Sequence, residues 1–210
     1  MIYMSTDSLF DGRQDQPYIE SDTPRPLNTY ARTKLAGESA ALQEAGTTVL
    51  RTNIFGWSRH ERPSFAEWVV KGLVERVPLR MFTDVDYTPI HVTHLASVVA
   101  DVIDRGIIGL FHAAGSTRLS KHAFAVHAAD TFGLSRAPIQ PISVDAAGLA
   151  ADRPKNMSLS SARLSRTLGR SLPGATEGLA LLKHQYDSGW RTEVAGRPSP
   201  AGYRFWETYA

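Results

Sequence analysis

Segments typical of buried strands alternate with segments of helical periodicity along most of this sequence. Runs of apolar and β-branched residues predict extended segments at residues 1–6, 48–55, 79–92, 109–115 and 139–144. Apolar positions three and four residues apart predict helices at residues 29–45, 65–74, 95–103, 121–132, 159–168 and 177–186. A helix between two buried strands lets those strands run parallel. The order therefore predicts an α/β protein built on a parallel sheet.

Polar residues and glycines mark the ends of several predicted helices. Ser64 and Ser120 stand where a hydroxyl can accept hydrogen bonds from the first free N–H groups of a helix. Gly46 and Gly133 follow the expected ends, as glycine often does where a helix closes. These four residues support the boundaries of three helices.

The composition excludes several classes of protein. With 210 residues and 42% hydrophobic content, the chain can form one domain or two small ones around a real core. Its 23 basic and 21 acidic residues give a net charge of only +2, so we expect neither nucleic acid nor a membrane as partner. No apolar run approaches the roughly 18 residues of a membrane helix. The absence of cysteine excludes disulfides and thiolate chemistry, and we expect a cytoplasmic protein.

Tyr30 and Lys34 form the sharpest pair of candidate catalytic residues. They are four residues apart on a predicted helix, so their side chains share one face. A free phenol has a pKa of roughly 10, and a nearby cation lowers such a pKa by stabilising the phenolate. The pair can therefore do acid–base work, although the same spacing also occurs by chance on solvated helices. Thr6 follows the first strand, where ligand crevices open in α/β sheets, and its hydroxyl can donate to a carbonyl.

Several motifs together resemble one enzyme family. These are MSTDSLFDG at residues 4–12, PYIE at 17–20, PLNTYARTKLAGE at 26–38 and LRTNIFG at 50–56, with shorter matches at residues 88–89, 95–96 and 153–154. They resemble the extended short-chain dehydrogenase/reductase superfamily, and within it the dTDP-4-dehydrorhamnose reductases and their sugar-nucleotide-binding relatives. The resemblance covers most of the chain, and it is most specific between residues 5 and 38.

The resemblance implies a fold, a reaction and a set of site residues. Residues 1–57 would be the C-terminal part of a Rossmann-like cofactor domain, and residues 58–210 mainly a smaller α/β substrate-binding region, with 107–116 returning to the Rossmann sheet. Tyr30 would protonate a 4-keto nucleotide sugar as NADPH or NADH delivers hydride. Lys34 would assist Tyr30 and hold the nicotinamide ribose, Ser5 would contact the cofactor, and Thr6 and Asp7 would contact the substrate.

The chain also departs from the family pattern. None of its 16 glycines forms the glycine-rich turn that cradles the cofactor pyrophosphate, so the sequence resembles the C-terminal two-thirds of a reductase, with about 90 to 100 residues absent ahead of it. We therefore expect the chain alone to turn over slowly or not at all. Ser8 and Ile54 replace a tyrosine and a tryptophan common in rhamnose reductases, and residues 84–89 also differ, which leaves the sugar open.

Other interpretations of the same residues stay open. An epimerase or dehydratase would use the same Tyr30 and Lys34, and some relatives of these reductases are non-catalytic interaction subunits. A sheet without its first strands would expose an apolar edge and could form a homodimer. Arg153 could bind a diphosphate or serve a structural role. His91 and His94 lack a third ligand at metal-binding spacing, so we expect no metal site.

Overall fold

The computed structural model describes residues 1–58, 63–149 and 153–189. The strands in these ranges are β1 (Ile2–Thr6), β2 (Thr48–Thr52), β3 (Ile54–Phe55), β4 (Leu79–Phe82), β5 (Asp86–Tyr87), β6 (Ile90–His91), β7 (Gly109–His112), β8 (Leu119–Ser120) and β9 (Ile139–Ile142). The helices are α1 (Thr29–Ala41), α2 (Phe65–Glu75), α3 (Val92–Asp104), α4 (Lys121–Phe132), α5 (Ala162–Leu168) and α6 (Ala175–Asp187). None of the helices found there is long and apolar enough to cross a bilayer.

A three-stranded parallel sheet forms the N-terminal part of the fold, with β2 between β1 and β7. Ser5, Arg51 and His112 are register partners across these strands and form one row. The row faces α1, since the Ser5 hydroxyl donates to Glu38 of that helix. The opposite face is apolar and packs on α3 and α5 through Met4, Leu50, Phe111, Leu95, Val98 and Leu164. The sheet therefore has one polar and one apolar buried face.

Three two-stranded sheets extend the fold beyond this sheet. β3 pairs with β6 and β4 with β9 in parallel, whereas β5 pairs with β8 in antiparallel fashion. A second core around them joins α2, α4 and α6 through Val69, Leu73, Phe124, Leu179 and Leu182. The predicted α/β class with parallel strands is confirmed.

The strand predicted for residues 48–55 is broken at Asn53. β2 stays in the central sheet, whereas Ile54 and Phe55 pair with Ile90 and His91 in a different sheet. The side chain of Asn53 donates to Asp7 at the point of the break. A continuous apolar pattern could not reveal this switch, because the partner that fixes Asn53 lies 46 residues earlier.

Other boundaries differ from the predicted ones by a few residues. The first helix ends at Ala41 rather than at residue 45, because Gln43 and Glu44 form tighter bonds to Ala40 and Ala41, three residues back. The extended segment predicted at 79–92 consists of three short strands, and α3 begins at Val92 rather than at residue 95. β7 ends at His112, β9 at Ile142, and α5 begins at Ala162, each giving a shorter element than predicted. α6 is slightly longer than predicted.

We predict that Ser64→Ala destabilises the protein by about 1 kcal/mol. Ser64 and Glu67 form a reciprocal capping box at the start of α2, and the Ser64 hydroxyl also donates to the Gly56 carbonyl at 2.6 Å. Alanine removes both hydrogen bonds of the hydroxyl. Urea unfolding measures the loss, and Ser64→Thr, which keeps the hydroxyl, should recover most of it. Equal stability of wild type and Ser64→Ala would contradict the prediction.

Candidate functional site

Thr6 lies at the carboxyl end of β1, where the chain enters a short helical turn over Asp7–Leu9. Its hydroxyl oxygen lies 3.2 Å from Asp7 Oδ1 and accepts a hydrogen bond from the Ser8 N–H. The hydroxyl therefore caps the turn and keeps Thr6 in a fixed position. The carbonyl oxygen of a ligand could accept the hydrogen bond that the Thr6 hydroxyl now donates to Asp7.

Tyr30 and Lys34 lie on α1, which begins at the N-cap Asn28. The Lys34 ammonium donates to the Met4 carbonyl at 2.6 Å, on β1, and lies 4.6 Å from the centre of the Tyr3 ring. Tyr30 is 54% exposed, and its hydroxyl makes no hydrogen bond to any residue that the structure describes. Since Lys34 rests beside β1 two residues before Thr6, the structure brings the predicted acid–base helix to the strand that carries Thr6.

Ser5 points under α1 rather than toward the open edge of the sheet. Its hydroxyl donates to Glu38 at 2.7 Å, and Glu38 forms a buried ion pair with Arg51 at 2.5 Å. Arg51 also lies 3.4 Å from Nε2 of His112, whose other ring nitrogen is 3.1 Å from the Tyr18 carbonyl. Burial and the neighbouring Arg51 charge lower the pKa of His112 to about 3. Ser5 therefore belongs to a polar network beneath the helix that carries Tyr30 and Lys34.

Glu38 and Arg51 are functional candidates that reasoning from the sequence missed. The signal in the sequence was Arg51, a charged residue in the middle of an apolar strand, together with Glu38, an acidic residue one helical turn after Lys34. Both residues are buried, so each requires the other as a partner.

Asp7 is buried beside Thr6 and is held by neighbouring side chains. Its carboxylate accepts hydrogen bonds from Asn53 and Ser8. Burial raises the pKa of Asp7, while the Asn53 hydrogen bond and the charge of Lys121 act in the opposite direction. A buried carboxyl with a shifted pKa at the end of a parallel strand is typical of a functional site.

Arg153 lines a cleft of about 460 Å³ between the loop after Phe10 and the chain segment that follows Arg153. The walls carry Asp11, Arg13, Asp15, Asp84, Asp86, Arg118 and Lys155. The two walls can approach each other at Gly12, because a Cβ atom there would lie only 2.6 Å from the backbone nitrogen of Lys155. The φ of Gly12 is +75°, a left-handed conformation that glycine adopts readily. With Arg153 included, the cleft is lined by four carboxylates and four cations, so its formal charge is balanced.

His91 and His94 lie next to each other, with ring centres 5.8 Å apart. His91 is fully buried against Phe55, and burial together with the His94 charge lowers the pKa of His91 to about 4. Across residues 1–58, 63–149 and 153–189, no three His, Asp or Glu side chains gather as metal ligands would. His91 therefore packs as a neutral ring in the interior, with the half-buried His94 beside it.

Several known proteins are similar to this chain in sequence. Methionine adenosyltransferase 2 subunit beta of Mus musculus is 33% identical over 92% of this chain and 60% of its own length. A probable low-salt glycan biosynthesis reductase of Haloferax volcanii is 28% identical over 87% of this chain and 62% of its own length.

A solved structure shares the fold. The dTDP-4-dehydrorhamnose reductase of Bacillus anthracis, solved in complex with NADP, superposes with a TM-score of 0.80 at 24% identity, over 88% of this chain and 65% of that chain. The chain thus spans about 60 to 65% of the length of these three proteins. The RmlD substrate binding domain family matches residues 1–187. The chain therefore belongs to the RmlD substrate binding domain family.

Proposed function

We propose that this chain carries the proton donor and the substrate site of an NAD(P)-dependent reductase acting on a 4-keto nucleotide sugar. The observation that carries the proposal is the placement of Lys34 at the edge of β1, close to Thr6, with the Tyr30 hydroxyl open to solvent one helical turn away. The similarity to the Haloferax volcanii reductase supports the same reaction class.

The described residues fit the nicotinamide–ribose end of a dinucleotide. An ammonium has three N–H donors. The Lys34 ammonium uses one of them on the Met4 carbonyl, and this is the only hydrogen bond that the ammonium makes to the described residues. The remaining donors can hold the two ribose hydroxyls. When bound, NADPH or NADH supplies the hydride that reduces the sugar carbon C4.

The residues of the chain then complete the reduction. Tyr30 donates its hydroxyl proton to the C4 oxygen, so that the carbonyl becomes an alcohol. The Lys34 charge stabilises the phenolate that remains. Thr6 turns its hydroxyl from Asp7 to the substrate carbonyl and orients it. Arg153 and Asp7 would contact other parts of the nucleotide sugar. Ser5 would contribute to cofactor binding indirectly, because its hydrogen bond to Glu38 helps to hold α1, the helix that carries Tyr30 and Lys34.

We expect Tyr30→Phe to lower the rate of hydride transfer by about 100-fold or more, because the variant lacks the proton donor. The assay follows oxidation of NADPH by dTDP-4-keto-6-deoxyglucose in single turnovers with excess protein, so that slow reaction is visible. Tyr186→Phe, on α6, is the matched control and should react like wild type. If the wild type reacts measurably, an equal rate for Tyr30→Phe would overturn the assignment of Tyr30. Product analysis separates reduction from epimerisation or dehydration.

A second candidate is a non-catalytic interaction subunit, which the 33% identity to methionine adenosyltransferase 2 subunit beta favours. In that case the chain would bind a methionine adenosyltransferase with Tyr30 and Lys34 unused. Size-exclusion chromatography of the mixed proteins tests this alternative. A stable complex together with no turnover in the reductase assay would favour the subunit, and turnover without a complex would favour the reductase.

A further inference from the structure

Two hydrogen-bond donors near Asp7 have no acceptor in the described part of the chain. Tyr87, on β5, is 1% exposed, and its hydroxyl has no hydrogen-bond partner there. Lys121 is the first residue of α4, and its ammonium makes neither a hydrogen bond nor an ion pair with any residue in the ranges described. A buried hydroxyl without an acceptor costs stability, so natural proteins keep few such groups without a function.

The backbone holds these two side chains together. β5 and β8 pair so that Tyr87 lies opposite Leu119, and the Lys121 N–H donates to the Val85 carbonyl at 3.1 Å. The Lys121 ammonium lies 3.2 Å from the centre of the Tyr87 ring and 4.6 Å from that of Phe65. Two aromatic faces therefore hold the ammonium of the half-buried Lys121 in place.

The charges around Lys121 favour an additional anion. The Asp7 carboxylate attracts the Lys121 ammonium electrostatically, but it already accepts hydrogen bonds from Asn53 and Ser8. Arg153 is a second cation that acts on Lys121. Burial lowers the pKa of Lys121 to about 7, and the Asp7 charge opposes this shift. Lys121 also stands at the N-terminus of a 12-residue helix, where the backbone itself attracts negative charge.

We propose that Lys121 and Tyr87 together bind an anionic oxygen group of the substrate, beside Asp7 and the catalytic Thr6. The proposal rests on the proposed function, since it assigns this group to the nucleotide sugar. Two parts of such a molecule offer the same chemistry, namely the diphosphate linkage and a carboxylate on the sugar. Lys121 neutralises the anionic oxygen, and Tyr87 donates a hydrogen bond to it. The two residues thereby select the substrate without taking part in the proton transfer from Tyr30.

The test measures binding to the purified chain by calorimetry with Lys121→Met and Tyr87→Phe. If the group is the diphosphate, we expect Lys121→Met to bind both dTDP-glucose and inorganic pyrophosphate about tenfold more weakly, because a charge-assisted hydrogen bond is lost. If the group is a carboxylate, the variant should instead lose a preference of the wild type for UDP-glucuronate over UDP-glucose. Tyr87→Phe should weaken binding of the same probe.

Thermal unfolding distinguishes this role from a structural one. Tyr87→Phe removes a buried hydroxyl that has no acceptor in the free protein, so its melting temperature should equal or exceed that of wild type. Weaker binding by this variant without a loss of stability therefore cannot come from unfolding. Lys183→Met is the control, because Lys183 pairs with Asp187 on the surface of α6, and its affinity should be unchanged. Wild-type affinity in both site variants would overturn this proposal alone. Absence of all binding by the wild type would overturn the proposed function as well.

Discussion

Arg51→Met is expected to lower the free energy of unfolding by about 3 to 5 kcal/mol, because it leaves the Glu38 carboxylate buried without a cation. Arg51 and Glu38 are each no more than 3% exposed, and the guanidinium contacts the carboxylate through Nε at 3.1 to 3.2 Å as well as through Nη2. After the change, the Ser5 hydroxyl would be the remaining side-chain donor to Glu38. Urea unfolding at neutral pH measures the loss.

An exposed pair of the same chemistry serves as the control. Arg136 and Asp130 form a two-pronged ion pair with bonds of 2.7 and 2.6 Å, but the side chains are 62% and 47% exposed. Arg136→Met should therefore cost less than about 1 kcal/mol. Adding Glu38→Gln to Arg51→Met removes the buried charge and should recover part of the stability. A cost for Arg51→Met no larger than that for Arg136→Met would contradict the prediction.

This buried pair also links stability to the proposed chemistry. Glu38 is on α1, one helical turn beyond Lys34, and Arg51 is on the middle strand of the sheet. The ion pair therefore fixes the helix that carries Tyr30 and Lys34 to the strands behind it. Displacement of α1 would separate Lys34 from the Met4 carbonyl, so loss of Arg51 should weaken cofactor binding even in molecules that remain folded.

The fold class could be predicted from the sequence because it depends on local patterns. Apolar runs and helical periodicity are properties of neighbouring residues, and so is the spacing of Tyr30 and Lys34 on one helix. The capping roles of Ser64 and Ser120 are equally local, and the structure confirms both. The placement of Lys34 beside Met4 follows once the first helix packs on the first strand.

The buried polar network could not be predicted in this way. It requires Ser5, Arg51 and His112 to occupy one row of three strands, and the register between distant strands has no local signal. The break at Asn53 likewise depends on Asp7, and the position of Lys121 depends on Tyr87 and Phe65. Long-range pairing decides each of these features, whereas the sequence patterns report on near neighbours.

Two buried histidines should make the protein less stable in mild acid. The pKa of His91 is lowered to about 4 and that of His112 to about 3, both first of all by burial, whereas an unfolded histidine has a pKa of about 6.5. Below pH 6.5 the unfolded chain therefore binds protons that the folded chain does not bind. Stability is fully present above about pH 6.5 and falls as the pH decreases toward 4 for His91 and toward 3 for His112.

At pH 5, each histidine should lower the free energy of unfolding by about 2 kcal/mol relative to pH 7.5. This pH lies about 1.5 units below the pKa of an unfolded histidine, and each unit corresponds to about 1.4 kcal/mol. Urea unfolding at the two pH values measures the sum. His91→Gln and His112→Gln should each reduce the difference by about 2 kcal/mol, because glutamine hydrogen-bonds but does not titrate in this range. Lys121, whose pKa burial lowers to about 7, adds to the total in the same direction and is present in all of these variants. His184→Gln, at an exposed position on α6, should leave the difference unchanged. Equal stability of the wild type at pH 5 and 7.5 would show that the two rings are protonated in the folded state, in conflict with their burial.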